Sequence, residues 1–315
     1  MLRLRLIFGF SLAGLIIGLM LVDARLSEQS AQTSGSEPAG GLERWLRHGA
    51  ICAALLSVLV LLAARELVRF ARAEGYHPSA TLAEAGAVAL VLAPYVSFNW
   101  SAGHPPADTI ILPLLAILLA LAFLRQALLR RTQQAFTNVA TTMFIVVYLG
   151  GLSHFLCRLR MEVGGKLGVL LLLYSMFIVK MTDTGAYFTG RYLGRHKLIA
   201  WLSPGKTWEG LIGGILVALV CAVGIGYWLN RAWLSPRLAW EHPLIWLGLF
   251  GLMIAGLSIA GDLCASLLKR DAAVKDSGTA LPGLGGVLDV LDSPLLAAPA
   301  AWLFWTHLLR VSAGG

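Results

Sequence analysis

Long apolar runs separated by short polar segments make up most of this chain. A helix that crosses a lipid bilayer needs about 20 mostly apolar residues. Nine runs reach or approach that length, and they lie at about 6–22, 49–65, 83–98, 109–124, 138–156, 165–187, 210–229, 244–262 and 287–309. The pattern predicts an all-α, polytopic integral membrane protein with about nine transmembrane helices.

The first apolar run admits a second interpretation. It follows the basic segment MLRLR, and a basic segment before an apolar stretch is also how a signal peptide begins. No clean cleavage site of small residues follows the run, so we expect residues 1–22 to be retained as a helix.

The composition agrees with a membrane protein. Of the 315 residues, 57% are hydrophobic and 13% are charged, whereas a soluble domain carries about 25% charged residues. Too little polar surface remains to cover a water-soluble globule, which excludes a cytosolic enzyme and a disordered chain. Basic cytoplasmic loops that meet anionic lipid headgroups explain the net charge of +8, so we expect membrane lipids and no nucleic acid as partners.

The positions of the basic residues indicate the orientation of the chain. With nine spans and the N-terminus inside, the inner loops hold fifteen Lys and Arg residues and the outer loops hold nine. Loops rich in Lys and Arg stay on the cytoplasmic side. We therefore expect an integral protein of the plasma membrane, the inner membrane in a bacterium. Its polar segments 180–210 and 261–278 and the start of 281–293 then face the cytoplasm.

These three polar segments carry most of the residues that a scaffold would not need. Residues 1–160 have few ionisable groups within their spans, and we interpret them as a scaffold of transmembrane helices. Residues 161–315 form the predicted catalytic region. Within that region, Asp262, Ser266 and Lys269 are spaced to share one helix face, and so are Asp289 and Asp292.

Clustered carboxylates at a membrane surface need cations to neutralise them. An ionised group inside a bilayer costs at least about 2.5 kcal/mol. Hard oxygen ligands with room for water and phosphate select Mg²⁺ rather than zinc, so the sequence predicts a Mg²⁺ site. A plainer alternative is a set of interfacial salt bridges, in which Asp262, Asp276, Asp289 and Asp292 pair with Lys269, Arg270 and Lys275. Asp183, at the end of another span, is either a ligand or a cap partner.

Two short segments suit phosphate groups. Gly283, Gly285 and Gly286 permit a close approach of the backbone to a ligand, with N–H groups expected to be free at a helix start. The segment SPGKT (203–207) ends like a nucleotide-binding loop. However, the position of the leading glycine is Ala200 and no strand precedes it, so it is not a Walker A loop. Lys206 can still hold phosphates as a point charge.

The spacing of these residues is similar to that of a known family, the phosphatidate cytidylyltransferases, also called CDP-diacylglycerol synthases. The matching positions are Ser266, Lys269, Arg270, Lys275, Asp276, Gly278, Leu281, Pro282, Gly283, Gly285, Gly286, Asp289 and Asp292. The upstream blocks DTGAY (183–187) and SPGKTWEG (203–210) also resemble the family and follow its order. Three positions depart from the usual pattern, because Leu284 replaces a His, Val290 an Arg and Ala265 a Glu.

The resemblance implies a reaction and a role for each group. CMP passes from CTP to phosphatidate, which gives CDP-diacylglycerol and pyrophosphate for phospholipid biosynthesis. Asp262 and Asp289 are implied to bind Mg²⁺, with Asp183, Asp276 and Asp292 as further ligands or supporting groups and with room for a second cation. The groups implied to hold the phosphates of the two substrates are Ser203, Lys206, Ser266, Lys269, Arg270, Lys275, Gly283, Gly285 and Gly286.

Other functions remain open at this point. A CTP-dependent lipid kinase would share the nucleotide and the membrane but would release CDP, and a catalytically altered relative would keep the same motifs. An ion-coupled transporter also carries carboxylates in its spans. The charges of this chain cluster at one face rather than along a midplane path, which argues against a transporter. The oligomeric state is open, a homodimer included.

Overall fold

The structure, a computed structural model, describes residues 2–33, 45, 48–100, 107–129, 132–234, 242–274, 277–278 and 285–309. Within these ranges helices follow one another through short connections, and one two-stranded hairpin lies between the sixth and seventh helices. The helices are α1 (Leu2–Thr33), α2 (Ala50–Ala73), α3 (Ala80–Asn99), α4 (Ala107–Leu128), α5 (Ala135–Val163), α6 (Gly165–Leu193), α7 (Trp208–Leu229), α8 (Pro243–Asp271) and α9 (Leu288–Leu303). Wider π-helical turns lie within α5 (Val146–Gly151) and directly after α7 (Asn230–Leu234) and α9 (Phe304–Leu308).

The helices match the apolar runs of the sequence. In the described part of the chain, the seven helices α2 to α8 are long and apolar enough to cross a membrane, and each coincides with a predicted run. The prediction of an all-α, polytopic membrane protein is confirmed. Helices α1 and α9 occupy the predicted runs 6–22 and 287–309, and their crossing of the bilayer stays a prediction.

Aromatic side chains fill the space between α6, α8 and the turn after α9. Tyr174 stacks on Phe250 with ring centroids 5.4 Å apart, and Phe250 lies 5.1 Å from Trp305. Phe250 and Trp305 are completely buried. Large buried rings contribute much of the packing energy of a core, so this cluster fixes the three helices that carry Asp183, Asp262 and Asp292.

Small residues bring α7 close to α6 and α8 close to α9 near those carboxylates. A Cβ atom on Gly214 of α7 would lie 2.9 Å from the carbonyl oxygen of Thr182 of α6. A Cβ atom on Gly261 of α8 would lie 2.5 Å from the carbonyl oxygen of Asp292 of α9. Small residues at helix interfaces allow such close approach of backbones in lipid. The second contact sets Asp262, the next residue of α8, beside the start of α9.

A buried ion pair joins α1 to α5. Arg160 donates from Nε to Asp23 Oδ2 at 2.8 Å and from its terminal nitrogen to Ser27 Oγ at 2.7 Å. The other oxygen of Asp23 accepts from the backbone N–H of Ile51, at the start of α2, at 3.1 Å. Both charged side chains are 2% exposed, so α1, α2 and α5 meet at a buried polar contact.

Candidate active site

A β-hairpin brings Lys206 to α8. Strand β1 (Lys197–Ile199) pairs antiparallel with β2 (Ser203–Thr207), which carries both Ser203 and Lys206. Lys206 Nζ lies 2.8 Å from Asp262 Oδ2. Arg270, at the end of α8, donates from Nε to the carbonyl oxygen of Leu202 at 3.2 Å and so holds the turn of the hairpin against the helix.

Lys269 and Asp289 form a second ion pair beside the first. Lys269 Nζ and Asp289 Oδ1 are 2.9 Å apart, and the two side chains are 14% and 15% exposed. Asp289 Oδ2 accepts from the backbone N–H groups of Ser277 at 3.0 Å and Gly286 at 2.9 Å, and it lies 2.9 Å from the Ser277 hydroxyl. These contacts occupy both oxygens of Asp289, which anchors the segment before α9.

Two further carboxylates, one from α6 and one from α9, lie near Asp262 of α8. Asp262 interacts electrostatically with both Asp183 and Asp292. Asp183 accepts from Ser258 Oγ at 3.4 Å and lies 3.5 Å from Lys180 Nζ. The side chains of Asp183 and Asp262 are 36% and 37% exposed, so ligands can reach their oxygens.

The donor atoms of this cluster suit a hard divalent cation. Among the residues with described positions, no group of three His, Cys, Asp or Glu side chains is close enough to hold a metal ion as it stands. Asp262 does interact with each of the other two carboxylates, and lysine ammonium groups lie next to Asp183 and Asp262. Accessible carboxylate oxygens beside positive charge fit Mg²⁺ chemically. Asp276, a further predicted ligand, lies outside the described residues.

One site residue comes from the N-terminal half and was missed by the sequence analysis. Glu66 of α2 is 1% exposed and accepts from the backbone N–H groups of Val287 and Leu288, each at 2.9 Å. Its Oε2 atom also accepts from the Ser277 hydroxyl at 2.9 Å. No local motif marks Glu66, because its partners lie more than 200 positions later in the chain.

The expectation of free N–H groups at the start of α9 is wrong. The N–H groups of Gly286, Val287 and Leu288 all donate to carboxylate oxygens of Asp289 or Glu66. Carboxylates of the chain itself therefore occupy the positions expected for a phosphate. The roles of Gly283, Gly285 and Gly286 in substrate binding stay predictions, and Gly283 lies outside the described residues.

The salt-bridge alternative holds for one of its pairs. Lys269 pairs with Asp289 as that alternative requires, whereas Arg270 donates to a backbone carbonyl and Asp262 pairs with Lys206. Lys275 lies outside the described residues. Ser266 lies on α8 between Asp262 and Lys269, partly buried.

The structure describes the surroundings of two of the three residues that depart from the family pattern. Ala265 is completely buried, so the Glu usual at this position would need a different environment. The backbone carbonyl of Val290 accepts from Lys180 Nζ at 3.4 Å. Leu284 lies outside the described residues.

Comparison with known proteins gives a consistent family. The chain matches the model of the cytidylyltransferase family over residues 44–308. It is 39% identical over 142 residues to the phosphatidate cytidylyltransferase of Haemophilus influenzae. The aligned stretch covers 45% of this chain and 48% of that protein. It is 36% identical over 185 residues to the Bacillus subtilis protein of the same name, covering 59% and 65% of the two chains. With the Synechocystis protein of that name the identity is 29% over 282 residues, 82% and 89% of the two chains. The chain thus spans between about half and just under two thirds of the first two relatives.

Proposed function

The chain belongs to the cytidylyltransferase family, and we propose that it transfers CMP from CTP to phosphatidate, with CDP-diacylglycerol and pyrophosphate as products. One observation carries the proposal: the pairing of lysines with carboxylates, Lys206 with Asp262 and Lys269 with Asp289, beside a cluster of further carboxylates. A site that joins a nucleoside triphosphate to a lipid phosphate needs cationic side chains for phosphate oxygens and carboxylates for a metal ion. The names of the relatives support the same reaction.

The chemistry requires alignment more than proton transfer. An oxygen of the phosphatidate phosphate attacks the α-phosphorus of CTP and forms a new P–O bond. The bond from the α-phosphorus to the oxygen that bridges to the β-phosphorus breaks, and its electron pair leaves with pyrophosphate. The attacking oxygen is already ionised near neutral pH, so no general base is needed. The work of the protein is to orient the two phosphates and to neutralise their charge.

The cationic side chains would hold these phosphates. Both Lys206 and Arg270 lie where the hairpin packs on α8, since Lys206 contacts Asp262 and Arg270 donates to Leu202 in the turn of the hairpin. We assign phosphate binding to these two and to Lys275, with hydrogen bonds from Ser203 and Ser266. Lys269 forms an ion pair with Asp289, so its main role would be to hold that carboxylate in place.

The carboxylates would hold Mg²⁺. Asp183 and Asp262 are the accessible ones, Asp292 interacts with Asp262, and Asp276 and Asp289 complete the candidate set. When bound, Mg²⁺ would offset the negative charge that builds up on the phosphate oxygens as pyrophosphate leaves.

A cavity with mostly apolar walls suits the hydrocarbon part of a lipid substrate. It has a volume of about 280 Å³, lies between α2, α5 and α8, and is lined by Leu67, Phe70, Phe144 and Leu268 among others. The lining also includes the carboxylates of Glu74 and Asp271, and Leu67 and Leu268 are the sequence neighbours of Glu66 and Lys269. A substrate with a phosphate and hydrocarbon chains matches this combination.

The site would face the cytoplasm. The excess of Lys and Arg in the loops predicted to be inside supports a cytoplasmic position for the C-terminal end of α8 and for the hairpin. CTP and pyrophosphate would then exchange with the cytoplasm while both lipids stay in the membrane.

The proposal is tested with purified full-length protein in detergent. CTP labelled at its α-phosphate is mixed with phosphatidate and Mg²⁺, and both the lipid-extractable label and pyrophosphate are measured. We expect label in the lipid phase with an equal amount of pyrophosphate, and a strong loss of both in Lys206→Met and in Asp262→Asn. Release of CDP without labelled lipid would show a kinase instead, and no product from folded protein would overturn the proposal. Arg65→Met, which removes an exposed guanidinium that pairs with Glu84, is the control for the loss of a positive charge outside the site and should keep full activity.

A further inference from the structure

The N-terminal half of the chain contributes a buried carboxylate to the segment that carries Asp289. We propose that Glu66 of α2 is a positioning residue: it fixes the start of α9 and, through Ser277, sets the carboxylate of Asp289. Its catalytic consequence rests on the proposed function, whereas the contacts themselves do not.

Glu66 caps α9 from a distant part of the chain. The first N–H groups of a helix have no partner within the helix, and a negative charge there is favoured by the helix dipole. Glu66 Oε1 accepts from Val287 N–H and Oε2 from Leu288 N–H, each at 2.9 Å. Both oxygens are needed, because the two N–H groups bind different atoms of the carboxylate. The position of α2 therefore determines where α9 begins.

Two glycines make room for this carboxylate. A Cβ atom on Gly286 would overlap Ser277 Oγ and would lie 2.5 Å from Glu66 Oε2. A Cβ atom on Gly278 would lie 2.8 Å from Glu66 Oε1. Any larger residue at either position would push Glu66 away from α9. Gly278 and Gly286 thus leave room for the Glu66 side chain to reach α9, whether or not they also contact a substrate.

Ser277 connects Glu66 to the catalytic carboxylate. Its hydroxyl oxygen is 2.9 Å from Glu66 Oε2 and 2.9 Å from Asp289 Oδ2. A hydroxyl has one proton to donate, so the two carboxylates share a single donor. Asp289 Oδ2 also accepts the backbone N–H of Ser277. A displacement of Glu66 would therefore move Ser277 and, with it, Asp289 and its partner Lys269.

Glu66→Gln tests the proposal with the smallest change of shape. An amide has one acceptor oxygen, so it can serve only one of the two N–H groups and presents N–H to the other. Loss of a group that orients a catalytic ligand typically lowers activity 10- to 100-fold. We expect kcat for CDP-diacylglycerol formation, per mole of folded protein, to fall about 10- to 100-fold while KM for CTP changes less than about threefold.

Asp23→Asn is the matched control. Asp23 is also a buried carboxylate with three donors, two from Arg160 and one from Ile51 N–H. Asp23 belongs to α1 and contacts α2 at Ile51. Ile51 and Glu66 are fifteen positions apart, or about 22 Å along a helix, so Asp23 is far from the contacts of Glu66. This variant should lose thermal stability but keep the kcat of its folded fraction. Equal kcat of folded Glu66→Gln and wild type would show that Glu66 is merely structural and would overturn the proposal.

A double-mutant cycle tests the route through Ser277. If Glu66 acts on Asp289 through Ser277, the double variant Glu66→Gln/Ser277→Ala should have the same kcat as the less active of the two single variants. Its loss of kcat should then be smaller than the product of the two single losses. Multiplicative losses would show that the two residues act independently and would overturn the proposal that Glu66 sets Asp289 through Ser277.

Hydrogen exchange tests the contacts without any assay of activity. In the full-length protein, Glu66→Gln should speed the exchange of at least one of the two backbone amides that donate to Glu66, those of Val287 and Leu288, by at least about tenfold, as expected when a bonded N–H loses its acceptor. Asp23→Asn should leave these amides unchanged. Unchanged exchange in Glu66→Gln would overturn the proposal. If the wild-type protein formed no CDP-diacylglycerol, the proposed function would fail while this result still decided whether Glu66 holds α9.

Discussion

The Lys269–Asp289 pair should respond unequally to removal of its two members. In Lys269→Met, Asp289 keeps the N–H groups of Ser277 and Gly286 and the Ser277 hydroxyl. The loss is then one hydrogen bond between charged groups, or about 1.5–3 kcal/mol. In Asp289→Asn, the ammonium of Lys269 loses the negative charge of its described partner within 4 Å while it stays 14% exposed, and an amide NH2 replaces one of the two acceptor oxygens. Breaking a buried pair this way costs about 3–5 kcal/mol.

The lower end of that range applies to Asp289→Asn. Lys269 is slightly exposed and also interacts with Asp262 and Asp292, which offsets part of its charge. We therefore expect losses of about 2 kcal/mol for Lys269→Met and about 3 kcal/mol for Asp289→Asn, with the double variant less destabilised than the sum of the two.

The assay is SDS-induced unfolding in mixed micelles, with free energies of unfolding compared at a common SDS fraction. Asp271→Asn, which changes an exposed carboxylate at the end of α8, is the control and should shift stability by less than about 0.5 kcal/mol. The reasoning is refuted if Lys269→Met is the more destabilising variant, or if the losses of the single variants add in the double variant.

Three further outcomes follow from the contacts. Asp23→Asn should destabilise the protein by about 3 kcal/mol, because Arg160 is left buried and without its anion; the same SDS titration measures it, and a loss below about 1 kcal/mol would contradict the account. Gly261→Val should prevent α8 from packing on α9, since even a Cβ atom meets the backbone of Asp292 at 2.5 Å; size-exclusion chromatography should show little monodisperse protein, whereas Gly248→Val, where a Cβ meets nothing within 4 Å, should behave as wild type. Removal of Mg²⁺ with a chelator should abolish CDP-diacylglycerol formation and re-addition should restore it; activity that persists in the chelator would refute the role of Mg²⁺.

Periodicity and composition were sufficient to predict the helical architecture. Apolar runs of spanning length recur along the chain, and their positions coincide with α2 to α8. Local spacing also brought Asp262 and Lys269 onto one helix. Their partners could not be predicted from local spacing, because tertiary packing determines them. The hairpin positions Lys206 next to Asp262, and the start of α9 positions Asp289 next to Lys269.

Long-range contacts explain what the sequence analysis missed. In the sequence, Glu66 is one of several charged residues that follow an apolar run, and nothing local distinguishes it. Its contacts become apparent only when α2 packs against the start of α9. The same packing explains why the N–H groups after Gly285 were wrongly expected to be free. A glycine-rich helix start is compatible with phosphate, but the chain supplies its own carboxylates there. The division into a scaffold half and a catalytic half stays a prediction, with Glu66 as a contact across it.

Mass spectrometry of the lipid product tests the central claim most directly. Purified protein is incubated with CTP, phosphatidate of one defined acyl composition and Mg²⁺, and the extracted lipids are identified by mass and fragmentation. The account predicts a lipid that carries cytidine and one phosphate more than phosphatidate, formed together with pyrophosphate and absent without CTP. A lipid that has gained phosphate without cytidine, or phosphatidate that remains unchanged by folded protein, would contradict it.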